Sequence, residues 1–300
     1  MTDLIHAVAR VRAREDRLLT ASHVLRMIEA ASFSEAYSVL DDLGYANEVS
    51  RQRDTGDFEE VLENTLHETL YIFTQFELGE KLHVLTVLGN IQNFKLALKS
   101  FQKGEELSDS DESEISDMLI SYASISPEKV IALVFSETGD AHLLSAISQF
   151  KAEKGNEKME QLIEKFFFDQ AVEIAGRDKF LLSYLKLISS SEELKTDFVR
   201  LEKDELIAKY KSSEFSGLIQ SGLKKIEKSG NFSSLEVIFD ERNLQFLQKE
   251  ARGEIDGYAP LFSYFWKQER NTRVIRSILL AKRNGISPEK IRGEYDTFIF

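Results

Sequence analysis

Apolar residues recur at every third or fourth position through most of the chain, which is the spacing of one face of an α-helix. The longest such stretch covers residues 259–287. It begins with an aromatic patch, continues through the polar residues 269–273, and ends in an apolar stripe before Gly285. No segment alternates apolar and polar residues over a useful length, so the pattern predicts an all-α fold with one long helix over 259–287.

A weaker copy of the long helix lies at residues 90–104. Both copies contain an asparagine, a basic residue two positions later, and apolar residues at the third and fourth positions after the asparagine. These pairs are Asn93 with Lys95, and Asn271 with Arg273. The repetition indicates a chain that is organised around similar helices. A third copy is expected near residues 195–200, where the asparagine is missing.

The predicted domain boundaries follow from these copies and from one acidic junction. Residues 104–117 carry seven acidic side chains and four serines, which is typical of a solvated linker. We therefore predict three helical repeat domains, 1–106, 107–204 and 205–300. The segment Ile-Ser-Pro-Glu-Lys occurs at 125–129 and again at 286–290, and either shared ancestry or good helix-start chemistry would explain the repetition.

Two charged residues near the N-terminus border an apolar stripe. Leu4, Val8 and Val11 have helical spacing, and Arg12 and Glu15 lie three positions apart beside that stripe. Residues at this spacing can pair on one helix face. A half-buried ion pair here would fix the register of the packed helices more than it would add stability.

The polar residues of the two helix copies are candidates for structural or interface roles. Asn93 and Asn271 each precede apolar residues by one helical turn, so each side chain can face a helix–helix seam and bond a neighbouring backbone. Lys95 and Arg273 point elsewhere, either to a partner or to solvent. Glu269 belongs to the same polar group as Asn271.

Composition excludes several functional classes. The chain has no cysteine, which removes disulfides, thiolate nucleophiles and cysteine-bound zinc. A net charge of -13 disfavours sequence-independent binding to nucleic acid and direct docking on anionic lipid. The N-terminus lacks the pattern of a secretory signal, and the apolar runs are too short to span a bilayer, so we expect no lipid anchor of the chain's own.

The motifs of common active sites are also missing from the sequence. The five histidines do not have the spacing of metal ligands, and neither a phosphate-binding glycine loop nor a nucleophile elbow is present. Adjacent acids such as Asp41 and Asp42 point to different faces of a helix. We therefore predict no catalytic residue, no cofactor and no metal site.

Three segments together resemble the C subunit of archaeal and bacterial V-type ATPases, a family that includes the d subunit of eukaryotic vacuolar ATPases. They are residues 10–15, Arg-Val-Arg-Ala-Arg-Glu, followed by Leu18 and Leu19; the helix with Asn93 and Lys95; and the helix at 262–285. The resemblance runs from about residue 6 to the end, and the three segments occur in the same order as in the family. The expected third copy near residues 195–200, in the middle domain, departs from the family pattern, because its asparagine is absent.

The resemblance implies a fold of three similar helical domains, arranged with pseudo-threefold symmetry as a funnel. It implies a non-catalytic rotor subunit that sits on the cytoplasmic end of a membrane rotor ring. The implied partners are the ring (proteolipid) subunits and the central shaft subunits D and F. The implied process is rotary transport of protons or sodium ions, with the choice of ion made by the ring.

An alternative from a different class is an all-helical scaffold or adaptor that is unrelated to rotary motors. It would share the fold class, the lack of an active site and the acidic charge. Its partners would distinguish it, because it would co-purify without any ATPase component.

Overall fold

The computed structural model describes residues 2–43, 58–74, 80–85, 87–88, 91, 156–213, 215–229 and 233–295. Within these ranges the regular structure is helical and contains no β-strand, which confirms the predicted all-α fold. The α-helices are α1 Thr2–Arg12, α2 Ala21–Glu29, α3 Phe33–Ser38, α4 Phe58–Thr74, α5 Asn156–Ala175, α6 Lys179–Arg200, α7 Lys203–Tyr210, α8 Ser216–Ser229, α9 Ser233–Ala251, α10 Ala259–Arg283 and α11 Pro288–Tyr295. Short 3₁₀ helices lie at Glu15–Arg17, Val39–Leu43 and Glu80–Leu82.

The chain divides into two compact units. The first consists of Met1–Leu78 together with Lys179–Phe300, and the second of Gly79–Asp178. In the second unit, Gly176 ends α5 with a φ of 58°, and Lys81 pairs with Asp178 at 3.4 Å. The predicted boundaries near residues 106 and 204 stay a prediction.

Side chains satisfy the first backbone N–H groups of α2 and α3. Thr20 Oγ1 accepts from the N–H of His23, and the His23 ring accepts from the N–H of Thr20, which is a capping box. Ser32 Oγ accepts from the N–H of Glu35, as its position predicts. The spacing of Ser32 and Glu35 predicts a capping box, in which the Glu35 carboxylate would accept from the N–H of Ser32. It accepts instead from the N–H of Ala31, one residue earlier, at 2.7 Å.

The first unit has a core in which both ends of the chain meet. Its buried side chains come from α2, α3, the start of α4, the second half of α10 and α11. The guanidinium of Arg283 lies 4.8 Å from the ring centres of both Phe33 and Phe58, and covers the edge of this core. The N-terminal and C-terminal helices therefore stabilise each other.

A second core of the same unit joins α6 to α9. It is built from seven apolar or aromatic side chains that are almost fully buried: Leu194, Phe198, Leu206, Tyr210, Phe215, Ile219 and Phe239. The hydroxyl of Tyr210 donates to Asp197, and Lys209 pairs with the same carboxylate at 2.5 Å. These polar contacts join α7 to α6 at the edge of the core.

Two helix boundaries differ from the sequence-based expectation. The serine run at 189–191 predicts a break between two helices, but α6 continues through it, and Ser191 Oγ donates to the carbonyl of Leu187 at 2.9 Å. This bond lets a serine sit inside a helix. Conversely, the helical spacing of apolar residues over 206–226 predicts a single helix. The structure divides this stretch into α7 and α8, and Ser213 Oγ accepts from the N–H of Phe215 at 3.2 Å in the turn between them.

The long helix α10 forms as predicted and ends at Arg283 rather than at residue 287. Pro260 lies in its first turn, where a missing N–H costs nothing. Gly285 has a φ of 68°, and the N–H of Ile286 donates to the carbonyl of Ala281 at 2.9 Å. This left-handed glycine and its backbone bond stop the helix.

Candidate functional site

The polar band of α10, residues 266–273, is the candidate site, because it places polar side chains in the interior of the first unit. From Ala259 to Thr272 no residue of α10 is exposed. The helix packs against α1, α2, α3, α4 and α9, and contacts α6 through its aromatic residues. In a helix enclosed in this way, polar side chains are stabilised by the hydrogen-bond and ion-pair partners that they find.

The first set of partners forms a clasp between the N-terminal segment and two C-terminal helices. We define the clasp as Arg12, Glu15, Lys267 and the carbonyl group of Ala251. Arg12 pairs with Glu15 at 3.0 Å and donates to the carbonyl oxygen of Ala251, at the end of α9, at 2.6 Å. Lys267 Nζ, from α10, pairs with the same Glu15 at 3.1 Å.

Glu15 is the centre of the clasp because it bridges two cations. Burial raises the pKa of the Glu15 carboxyl, but the hydrogen bonds and charges of Arg12 and Lys267 outweigh burial and hold the pKa below its usual range. The ionised form is therefore stabilised in the folded protein. Replacing either cation would leave a half-buried carboxylate with fewer partners.

The clasp predicts a loss of stability in acid. A carboxyl whose pKa is lower in the folded protein than the 4.5 of the unfolded chain adds stability at pH values above 4.5. That stability is lost as the pH falls through the pKa of the folded protein. At neutral pH, Glu15→Gln should lower the free energy of unfolding by roughly 0.5–1 kcal/mol, and the difference from wild type should shrink below pH 4.5. Urea unfolding across this pH range measures it.

Glu205→Gln is the matched control, because Glu205 is exposed on α7 and lies outside the clasp. Its difference from wild type should be small throughout the range. A Glu15→Gln difference that stays constant from neutral to acidic pH would contradict the assigned role of Glu15.

Asn271 connects α10 to the segment that precedes α2. Its side chain is buried, with 6% of its surface exposed. With the amide oriented to satisfy both neighbours, its oxygen accepts from the N–H of Leu19 at 3.0 Å and its nitrogen donates to the carbonyl of Lys267 at 3.1 Å. Asn271 thus faces a helix seam and bonds the neighbouring backbone.

On its other side, α10 contacts α6 through aromatic side chains. Trp266 Nε1 donates to the hydroxyl of Tyr184 at 2.6 Å. The ring of Phe262 meets those of Tyr184 and Phe180 edge-on, at 5.1 and 5.4 Å between centroids. Burial raises the pKa of Tyr184, so its hydroxyl keeps its proton and takes part in hydrogen bonding.

The remaining charges of the band face α9. Arg273 pairs with Asp240 at 2.9 Å, although its side chain is 43% exposed. Burial and the negative charge of Asp240 raise the pKa of Glu269, and the positive charge of Arg273 acts in the opposite direction. Burial also lowers the pKa of Arg270, although the negative charges of Asp240 and Glu241 act to raise it.

Two further side chains of α10, beyond the polar band, also bind neighbouring helices. Arg276 pairs with Glu59 of α4 at 2.7 Å. Lys282 Nζ donates to the carbonyl oxygens of Ile28 and Ala30, both at 2.6 Å, at the end of α2. A cation at the C-terminal end of a helix satisfies carbonyls that have no partner within that helix.

Five of the seven residues singled out from the sequence lie in or beside this arrangement: Arg12, Glu15, Glu269, Asn271 and Arg273. The clasp brings Arg12 and Glu15 to α10, whereas Arg273 turns to α9. Asn93 and Lys95 lie outside the described residues. Sequence reasoning missed Lys267 and Tyr184. Lys267 stands one turn before Asn271, but its partner Glu15 is 252 positions away, so no local pattern indicates their pairing.

The arrangement ties helices together, and its chemistry is that of hydrogen bonds and ion pairs. Among the described residues, no three histidine, aspartate or glutamate side chains come together in a way that could hold a metal ion. In the same part of the chain, every helix is too short or too polar to cross a bilayer.

These features define an all-α protein in which a central helix is linked by its polar side chains to the helices around it. A family model described as "ATP synthase (C/AC39) subunit" matches residues 7–189 and 177–294, and the chain belongs to this family. The protein is accordingly a subunit of a rotary, membrane-associated ATPase complex. A search among curated proteins gives no match.

Proposed function

We propose that this protein is the non-catalytic rotor subunit that couples the central shaft, subunits D and F, to the membrane rotor ring. The observation that carries the proposal is the family match, which extends over residues 7–294 and so includes nearly the whole chain. The function it supports is mechanical: torque enters at one contact surface and leaves at another, and protons or sodium ions move through the ring.

The packing of α10 supports a mechanical role. A part that transmits torque has to resist deformation, and packed interiors with few voids do so. In the first unit, side chains of α10 bind the 3₁₀ helix Glu15–Arg17 and the helices α2, α4, α6 and α9 through ion pairs or hydrogen bonds, in addition to apolar contacts. Each such contact opposes sliding of one helix past another.

The proposed location is the cytoplasmic face of the membrane, with the protein held there by the ring and not by lipid. The net charge of -13 favours this arrangement, because an acidic surface is repelled by anionic headgroups. The three-domain funnel with its pseudo-threefold axis belongs to the same proposal, as the arrangement that would hold the foot of the shaft.

Affinity purification from gently solubilised membranes tests the proposal. The tagged full-length chain should recover ring subunits together with shaft subunits D and F, identified by mass spectrometry. Deletion of the shaft should leave only the ring in the recovered material, and deletion of the ring should leave only the shaft. Recovery of other proteins without any rotary ATPase subunit would support the helical scaffold instead and would refute the rotor role.

A further inference from the structure

Polar side chains recur at every fourth position through the enclosed part of α10. We define the buried stripe as Tyr264, Gln268 and Thr272, which are 2%, 5% and 1% exposed. Residues four apart in an α-helix lie on one face, one turn above another. The next residue in this series, Arg276, pairs with Glu59 of α4. The buried stripe therefore runs through the interior of the first unit and leads to α4.

Two polar atoms of the buried stripe have no hydrogen-bond partner among the residues that the structure describes. They are the side-chain oxygen of Gln268 and the hydroxyl oxygen of Thr272, and both atoms are buried. The amide nitrogen of Gln268 does have a partner, because it donates to the hydroxyl of Tyr264 at 2.9 Å. A buried polar atom without a partner is uncommon in folded proteins and calls for a physical explanation.

The hydroxyl of Thr272 behaves differently from other hydroxyl groups inside these helices. Four of them donate to the carbonyl oxygen four residues earlier, at 2.9 or 3.0 Å: Thr65, Thr69, Ser191 and Thr196. Such a bond satisfies a hydroxyl without any partner from another helix. Thr272 makes no bond of this kind to the carbonyl of Gln268. Its hydroxyl is therefore turned away from the backbone of its own helix.

The polar side chains beside the buried stripe are already engaged. Lys267 pairs with Glu15, and the amide of Asn271 bonds a backbone group on each of its two sides. Neither residue supplies the donor that the side-chain oxygen of Gln268 lacks, or the acceptor that the hydroxyl of Thr272 lacks. A small ligand that both donates and accepts hydrogen bonds would satisfy both atoms.

We propose that Gln268 and Thr272 form a binding site for one internal water molecule, which donates to the side-chain oxygen of Gln268 and accepts from the hydroxyl of Thr272. Side chains four apart on a helix have Cβ atoms about 5–6 Å apart. Two hydrogen bonds of about 2.8 Å through one water oxygen span a similar distance. Both protein groups are neutral, so the site favours water over an ion. This inference concerns the chain by itself and does not rest on the proposed function.

Thr272→Val in the full-length chain distinguishes a hydrated site from a dry one, because valine keeps the shape and removes only the hydroxyl. In a dry site the substitution would remove an unsatisfied polar group and raise the Tm. With water bound, it takes a partner from the water and leaves Gln268 unsatisfied, so the Tm should fall by about 2–4 °C. Thermal unfolding followed by circular dichroism measures the shift. A Tm equal to or above that of wild type would overturn the proposal.

A double-mutant cycle tests whether one water serves both side chains. Gln268→Met removes the amide and keeps a long, unbranched side chain. Either single substitution disrupts the site, so the double variant with Thr272→Val should lower the Tm by less than the sum of the two single effects. Thr196→Val is the control, because its hydroxyl is bonded within α6, and its effect should add to that of Gln268→Met. Additive effects of Gln268→Met and Thr272→Val would contradict a shared water.

A high-resolution crystal structure of the full-length chain observes the site directly. In wild type we expect electron density for a water within hydrogen-bonding distance of both the side-chain oxygen of Gln268 and the hydroxyl of Thr272. The same density should be missing from Thr272→Val. Well-ordered wild-type side chains with no water between them would refute the proposal.

Discussion

Leu279→Ala should lower the free energy of unfolding of the first unit by about 2–5 kcal/mol. Leu279 is fully buried in the core that joins α10 to α2, α3 and α4. Alanine would leave a cavity surrounded by groups from both ends of the chain. The surrounding helices are held by polar contacts as well, which limits how far they can collapse into the space.

The adjacent residue supplies the control for this experiment. Leu280 has the same side chain on the same helix but is 40% exposed, so Leu280→Ala removes less buried area than Leu279→Ala. Its cost should stay below about 1 kcal/mol, since the truncation leaves no internal cavity. Urea unfolding followed by circular dichroism compares the two variants. Equal midpoints for both would contradict the placement of α10 in the core.

Asn271→Leu should lower the free energy of unfolding by about 1–3 kcal/mol, although leucine is the better helix former and more apolar. The buried amide accepts from the N–H of Leu19, and leucine would leave that N–H without its partner. The loss should be concentrated where α10 holds the segment before α2. The helices should stay formed, so the far-ultraviolet spectrum should be unchanged.

The same variant tests whether this seam matters to assembly. Under the proposed function, Asn271→Leu should reduce the amount of rotor ring recovered with the tagged chain. Asn284→Leu is the control, because Asn284 lies at the end of the same helix and is exposed. Recovery of the ring at wild-type yield with Asn271→Leu would show that the seam serves folding only.

The sequence predicted the parts of the fold that local chemistry determines. The start of α2 follows from its capping residue Thr20, and the end of α10 follows from Gly285. Each boundary depends on residues that are only a few positions apart in the sequence. Ser191 shows the limit of such reasoning. A serine favours a helix break on average, yet α6 continues through Ser191, whose hydroxyl donates to the carbonyl of Leu187 one turn earlier.

The candidate site was predictable only in part, for the same reason. The pairing of Arg12 with Glu15 is local and follows from their spacing. The lysine that completes the clasp comes from a helix 252 positions away, and Tyr184 meets Trp266 across 82 positions. Contacts at such separations depend on the tertiary arrangement, which hydrophobic periodicity does not encode.

The first core also constrains how the chain can fold during synthesis. Lys282 meets carbonyls of α2 that were made 252 and 254 residues earlier. At about 5–20 residues per second, the ribosome needs roughly 10–50 s to deliver that partner. Throughout this interval the apolar faces of α2, α3 and α4 have no permanent cover, so the nascent chain should be a substrate for chaperones until α10 emerges.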